Sequence, residues 1–402
     1  MRLRIILFCT PLFWGCAAAQ QTEGNSGNAG TENKKNVERN ELNNSVNPAL
    51  NNTAPAEAEM KEESVMSPDD YRTTTGGTAI QTSIPVPQPE RAVSWYDFYL
   101  DQYNAAVRNL EKEISSARRS ELTDVLNEMK NYHSNTYEYN LLMYIDGQHN
   151  KGRYNYLKKA WEIDPTRKEA LPYLAAYNEL IGDLTERNKF SKSIATSTLY
   201  GKVVYAWHRD LLAPLEKNAV LITQGDEDTY PGWALQANEG FRTDVKIVYL
   251  DLLQDAEYRK RLATELGITS LPAEGTDDQI RALCNITARP VYVSTTVRKD
   301  VLKEMEGKTL VLSGLAFKVG GSQDEMLNQF WQKADKRAIK DYWGTSVENQ
   351  MKKNYLPALI RLYAIFTIQG ESDKAKEVKE TALAIAAKNS MSKQVEKYFA
   401  PK

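Results

Sequence analysis

Cysteine is scarce in this chain of 402 residues: three in all, with Cys9 and Cys16 both in the amino-terminal leader. Cys284 is the one thiol deep in the chain, which excludes an intramolecular disulfide and a cysteine-built metal site. Set in IRALCNITARP, it reads as a small hydrophobe buried on a helix, since no base stands nearby to activate it. Histidine is equally scarce. His133, His149 and His208 have no metal spacing and no nucleophile motif beside them; His208, in YAWHRD, is the one worth testing as a base. Charge of either sign is not in excess, the formal net charge being −2. With no basic run and no interleaved aromatic patch, nucleic acid is excluded as a partner. P-loop, G-x-G-x-x-G, G-x-S-x-G and H-E-x-x-H motifs are all missing. A mean hydropathy of −0.55 excludes a multi-span membrane region.

What is present begins with a leader. Arg2 and Arg4 precede an apolar run from Ile5 to Trp14, followed by Gly15-Cys16-Ala17-Ala18-Ala19. Residues 1–19 read as a secretory signal peptide, too short to span a bilayer. Two processing readings stand. Leu12 to Cys16 forms a loose lipobox, which would leave a lipid on Cys16; alternatively, Ala17-Ala18-Ala19 is an A-x-A site cut before Gln20. Acylation of Cys16 is the expectation, and with it an extracytoplasmic protein held to a bacterial envelope membrane (periplasm or outer membrane) by its lipid anchor. Residues 20–92 are polar, end in Pro85, Pro87 and Pro89, and cannot bury enough apolar surface to offset their ordering entropy. They read as a disordered tether.

From 93 to 214 the pattern is helical and aromatic, with Trp95, Phe98, Tyr99 and Tyr103 at helical spacing. Tyr154 to Pro165 reads as the second helix of a tetratricopeptide-like unit and Arg167 to Gly182 as the first helix of the next. Stacked helical hairpins are expected, more than regular repeats. Residues 322–402 return to that pattern, Leu359, Leu362, Phe366, Gly370, Ala375 and Ala382 having the spacing of one repeat. Between them, residues 215–321 read as an α/β domain. The expected fold class is therefore α/β plus α, a small parallel α/β layer inserted between tetratricopeptide-like helical segments.

The α/β layer opens with the most informative stretch. Ala219 to Thr223 predicts a buried strand, Asp226 and its neighbours a turn, Pro231 the first turn of a helix that ends at Gly240, and Val245 to Leu250 a second strand. Further strands are predicted over 289–294 and, as one extended segment, 309–319, with helices over 255–266, 276–287 and 297–305. The acidic turn would lie beyond the carboxyl end of the first strand, where open α/β sheets place their ligands. Asp226, Glu227 and Asp228 could hold a divalent cation through hard oxygen ligands, with a sugar phosphate bridged to it. Equally, Asp228 or Thr229 could cap the helix while Asp226 bonds back to the turn. Thr229, Tyr230 and Trp233 could stack on a sugar in the same crevice, or simply pack.

The stretch LEKNAVLITQGDEDTYPGWALQANEGFRTDVKIVYLDLL, with its Gly-Asp-x-Asp-Thr-[Tyr/Phe]-Pro core, resembles a large bacterial family once called a domain of unknown function. That family is grouped with protein O-mannosyltransferase-like glycosyltransferases. The likeness spans roughly 199–387 and covers the soluble, extracytoplasmic part of the family, not the membrane-embedded part that carries its glycosyltransferase resemblance. Two functions follow as expectations. One is an envelope lipoprotein that binds an envelope protein or peptide through its helical segments and α/β platform. The other is an accessory factor or enzyme of envelope glycosylation, with a metal and sugar-phosphate site at the acidic turn.

Overall fold

The computed structural model describes residues 88–108, 115–273, 276–285, 288–298, 302, 310–320 and 323–400. The leader, Cys16, the expected tether up to residue 87 and most of the helix expected over 297–305 lie outside the described residues. Helix α1 (Gln88–Arg108) starts earlier than the composition suggests, because Pro89 sits in its first turn, where a missing N–H costs nothing. α2 (Ser116–His133), α3 (Tyr137–Asp146), α4 (Tyr154–Ile163), α5 (Leu171–Ile181), α6 (Leu184–Thr196) and α7 (Lys202–Leu212) follow. Helices α3 and α4, and α5 and α6, pack as successive hairpins. Pro172 falls in the first turn of α5, and Gly182 closes that helix in the left-handed conformation at φ +86°.

The layer that follows holds β1 (Val220–Thr223), α8 (Asp226–Glu239), β2 (Lys246–Tyr249), α9 (Ala256–Leu266), α10 (Thr276–Cys284), β3 (Val291–Ser294), β4 (Leu310–Ser313) and β5 (Ala316–Val319). The sheet order is β2-β1-β3-β5-β4. β1 pairs in parallel with β2 and with β3, as expected of short strands buried end to end. The expected all-parallel layer is corrected at the far edge. LVLSGLAFKV is not one extended segment but an antiparallel hairpin of β4 and β5, so the sheet is mixed. Gly314, at φ +78°, opens the two-residue turn, a position that few side-chain-bearing residues adopt.

The chain closes with α11 (Gln323–Lys333), α12 (Lys336–Asp341), α13 (Ser346–Met351), α14 (Leu356–Ile368), α15 (Ser372–Lys388) and α16 (Ser392–Glu396). Two apolar clusters result. One lies within α1 to α5; the larger runs from α5 through the sheet to the last helices. α5 serves both, with Leu174 in the first and Ala175, Ala176 and Leu180 in the second.

Polar clamps fix the layer to its flanks. Glu179 on α5 is buried and meets Lys246 of β2 at 3.2 Å and Arg187 of α6 at 3.7 Å. Arg261 of α9 donates to the Glu179 and Leu180 carbonyls at 2.6 and 2.9 Å, satisfying acceptors at the end of α5. On the other flank, Asp210 of α7 accepts from the Asp335 backbone N–H and from the Tyr355 hydroxyl, both at 2.8 Å. Among the described residues no helix is long and apolar enough to cross a membrane.

Candidate functional site

The carboxyl ends of β1, β2 and β3 share one edge of the sheet; the chain leaves β1 through α8 for β2 on one side, then crosses back to β3 on the other. That is the topological switch point of an open α/β sheet. Here Gly225, at φ +88°, turns the chain directly from β1 into α8. The acidic residues are thus not a loop ahead of the helix; they are its first turn. Gly225 is the N-cap, and no side chain caps the helix. Three carboxylates in a first turn offset the positive end of the helix dipole. Pro231 falls inside the helix rather than at its start. It cannot bond the Glu227 carbonyl one turn back.

Asp226, Glu227 and Asp228 are 5, 7 and 5 % exposed, and at least two of them go separate ways. Asp228 turns toward β3. Its carboxylate accepts from the Gln224 backbone N–H at 3.1 Å and from the Ser294 hydroxyl at 3.0 Å, and Ser294 pairs with Thr296 at 2.6 Å. Burial nevertheless pushes the Asp228 carboxyl up to about 6, against the hydrogen bonds from Thr296, Gln224 and Ser294. Thr229 is fully buried; its hydroxyl pairs with Thr223 at 2.8 Å and donates to the Gly225 carbonyl at 2.9 Å. These residues seal the switch point from within.

Asp226 turns toward β2 and the helical hairpins. It accepts from the Tyr249 hydroxyl at 2.6 Å, and Nε2 of His149 lies 3.9 Å from the same carboxylate oxygen and 3.3 Å from that hydroxyl. His149 comes from the turn between α3 and α4 and is held at φ +64°. Lys151 pairs with Asp255 at 2.9 Å and Gln254 donates to the Gln148 carbonyl, so this turn is pinned over the sheet edge. Tyr144 and Tyr173 flank the histidine, with ring centroids 6.3 Å from it in both cases. Tyr230 stands edge-on to Tyr249 at 5.9 Å. Trp233, 1 % exposed, packs among Tyr230, Tyr249 and Arg187. Burial, and after it the charge of Asp226, holds the Tyr230 and Tyr249 hydroxyls well above the ordinary tyrosine range. They remain protonated donors and supply no activated nucleophile.

His208 lies elsewhere. It is fully buried on α7, with Nδ1 2.8 Å from the Val204 carbonyl and Nε2 3.4 Å from the Asp228 carbonyl. Burial pushes it down to about 4. Both ring nitrogens face backbone oxygens, so it has none to offer a substrate. Cys284 is buried at the end of α10, as its setting suggests.

The fold therefore brings Asp226, Tyr230 and Trp233 together with residues that sequence reasoning left out: His149, Tyr249, Tyr144 and Tyr173. It separates Asp228 and Thr229 from them. Only the tyrosine content, 22 in all, hinted at such a cluster. Among the described residues no group of three or more His, Cys, Asp or Glu side chains is placed to hold a metal ion.

No curated protein and no solved structure matches this chain. Residues 204–282, which hold β1, α8, β2 and α9 and so the whole acidic turn, match the family described as TMEM260-associated domain 2, and this fits a TMEM260-like family.

Proposed function

We propose that this chain is a binding protein of the bacterial envelope, tethered through a lipid on Cys16, whose ligand enters where the helical hairpins meet the carboxyl edge of the sheet. One observation carries the reading: Asp226 and Asp228 point to opposite sides of the first turn of α8, each with protein donors on its oxygens. A metal that bridges a sugar phosphate needs convergent carboxylates with lone pairs to spare. Binding through a crevice lined by tyrosines needs neither. The hairpins bring Tyr144, His149 and Tyr173 together, and His149 meets Tyr249 of β2, which bonds Asp226 of α8, so a ligand admitted there would touch both parts of the molecule. The match to TMEM260-associated domain 2 supports a second setting for the same activity, that of an accessory factor in envelope glycosylation.

Photo-crosslinking from position 173 tests the reading, because Tyr173 is half-buried beside Tyr144 and His149. A photoreactive phenylalanine there, in the full chain in its native envelope, should give a discrete adduct that Asp226→Asn abolishes. An adduct pattern indifferent to that substitution would contradict the crevice as the binding site.

A further inference from the structure

At the amino ends of β1 and β3, on the sheet edge opposite the acidic turn, a cavity of about 310 Å³ opens to solvent. The strand register shows why. β3 and β5 pair only as far as Tyr292 and Lys318, whereas Val291 still pairs with Val220 of β1 and Val319 with Leu310 of β4. The two strands therefore part at that end, and Val291 and Val319 line the gap with Pro290 and with Cys284 from the end of α10. Its volume lies at the small end of the range that takes small molecules. Three charged side chains complete the lining. Lys318 meets Glu216 at 2.7 Å, and the Tyr292 hydroxyl donates to the same Glu216 oxygen at 2.9 Å. Burial works to raise the Glu216 carboxyl, yet these two partners hold it below its ordinary value, so it is ionised and balances Lys318. Arg289 is not balanced. Its Nε donates to the Asn218 carbonyl at 2.7 Å and its Nη2 to the Ala219 carbonyl at 3.3 Å, both neutral acceptors. Asp244 offers it only a backbone carbonyl at 3.5 Å, because the Asp244 carboxylate pairs with Arg242 at 2.9 Å. Among the described residues no carboxylate pairs with Arg289, and its Nη1 has no acceptor. The cavity thus sets one uncompensated positive charge beside an apolar wall.

We propose that this cavity binds a small organic monocarboxylate, with its carboxylate on Arg289 and its short apolar chain against Pro290, Val291 and Val319. The site is separate from the crevice at the acidic turn and stands or falls without it. A guanidinium keeps its charge at every working pH, and its planar fork of donors suits a carboxylate. A more highly charged anion such as phosphate would meet Glu216 in the same lining and would leave the apolar wall unused. An amine would face Arg289 and Lys318, two cations with which it cannot pair. A neutral amide would leave the Arg289 charge as it was.

Isothermal titration calorimetry on the full mature chain tests this with four probes: hexanoate, hexanamide, hexylamine and inorganic phosphate. Hexanoate should bind saturably and the other three should not. Arg289→Gln keeps a donor for the Asn218 carbonyl but removes the charge, and should weaken hexanoate by about tenfold or more, the loss of one charge-assisted contact. Ala288→Trp sets a bulky ring at an exposed position of the lining, where the fold has room for it, and should weaken hexanoate at least as much by obstructing the cavity. Melting curves of both variants establish that they are folded; should Arg289→Gln fail to fold, the probe series on wild type and Ala288→Trp still decides. Silence of hexanoate on wild type, or equal binding of hexanamide or hexylamine, overturns the proposal. Phosphate binding that Arg289→Gln removes would reveal an anion site indifferent to the apolar wall, and it overturns the carboxylate. Unchanged hexanoate affinity in folded Arg289→Gln or Ala288→Trp protein places the binding outside this cavity and overturns the proposal as well.

Discussion

Asp226 and Asp228 are two residues apart and serve different ends of one sheet edge. Asp228 is a buried carboxylate whose folded ionisation, at about 6, lies above its ordinary 3.8. The stability that it contributes is fully present below pH 3.8 and is lost as pH rises through 6, on the order of 3 kcal/mol in all. Asp228→Asn should remove that loss. Its amide oxygen can take the Gln224 N–H, and the Ser294–Thr296 hydroxyl pair can reverse to accept from its NH2. The variant should therefore gain on wild type in melting temperature between pH 4 and pH 7, read by thermal denaturation at each pH. A constant difference across that range would contradict the burial argument. None of this was legible in the sequence. The run Asp226-Glu227-Asp228 announces a helix start, but which carboxylate faces which strand depends on Ser294, Thr296, Tyr249 and His149, all distant in the chain. His149 was passed over because its neighbours carry no motif; only the turn between α3 and α4, folded against the sheet, gives it a partner.

At the scale of elements, the apolar runs announced β1, β2 and β3 well, because a short run of buried β-branched residues has few other uses. LVLSGLAFKV misled for the same reason. It is mostly apolar, and a glycine inside such a run looks like a bulge as readily as a turn. The hairpin makes Gly314 testable. A Cβ there would lie 2.3 Å from Cδ2 of Phe330, on top of a backbone at φ +78°. Gly314→Ala should cost roughly 2–3 kcal/mol by urea denaturation, strain and overpacking together. Gly320, at φ +81° with nothing within 4 Å, isolates the backbone part, and Gly320→Ala should cost only about 1 kcal/mol. Equal losses at the two sites would show that Phe330 yields freely.

At the scale of the molecule, the helical hairpins and the sheet act together only if the clamps between them hold. Glu179→Gln removes the buried charge that meets both Lys246 and Arg187, while Lys246 keeps Glu265 at 2.8 Å, and should lower unfolding stability by roughly 1–3 kcal/mol, read by urea denaturation. A loss below measurement error would mean that solvent screens the pair. If Cys16 carries the lipid that its leader suggests, Cys16→Ser should move the protein from the membrane fraction to the soluble one, read by fractionation and fatty-acid labelling. The claim on which function turns is that the first turn of α8 floors a binding crevice and is not a metal centre. Melting wild type, Asp226→Asn and Asp228→Asn with and without magnesium, manganese and calcium tests it most directly, since a cation that binds the folded state raises its melting temperature. The expected result is no cation-dependent rise in any of the three proteins; a rise in wild type that both substitutions abolish would contradict it.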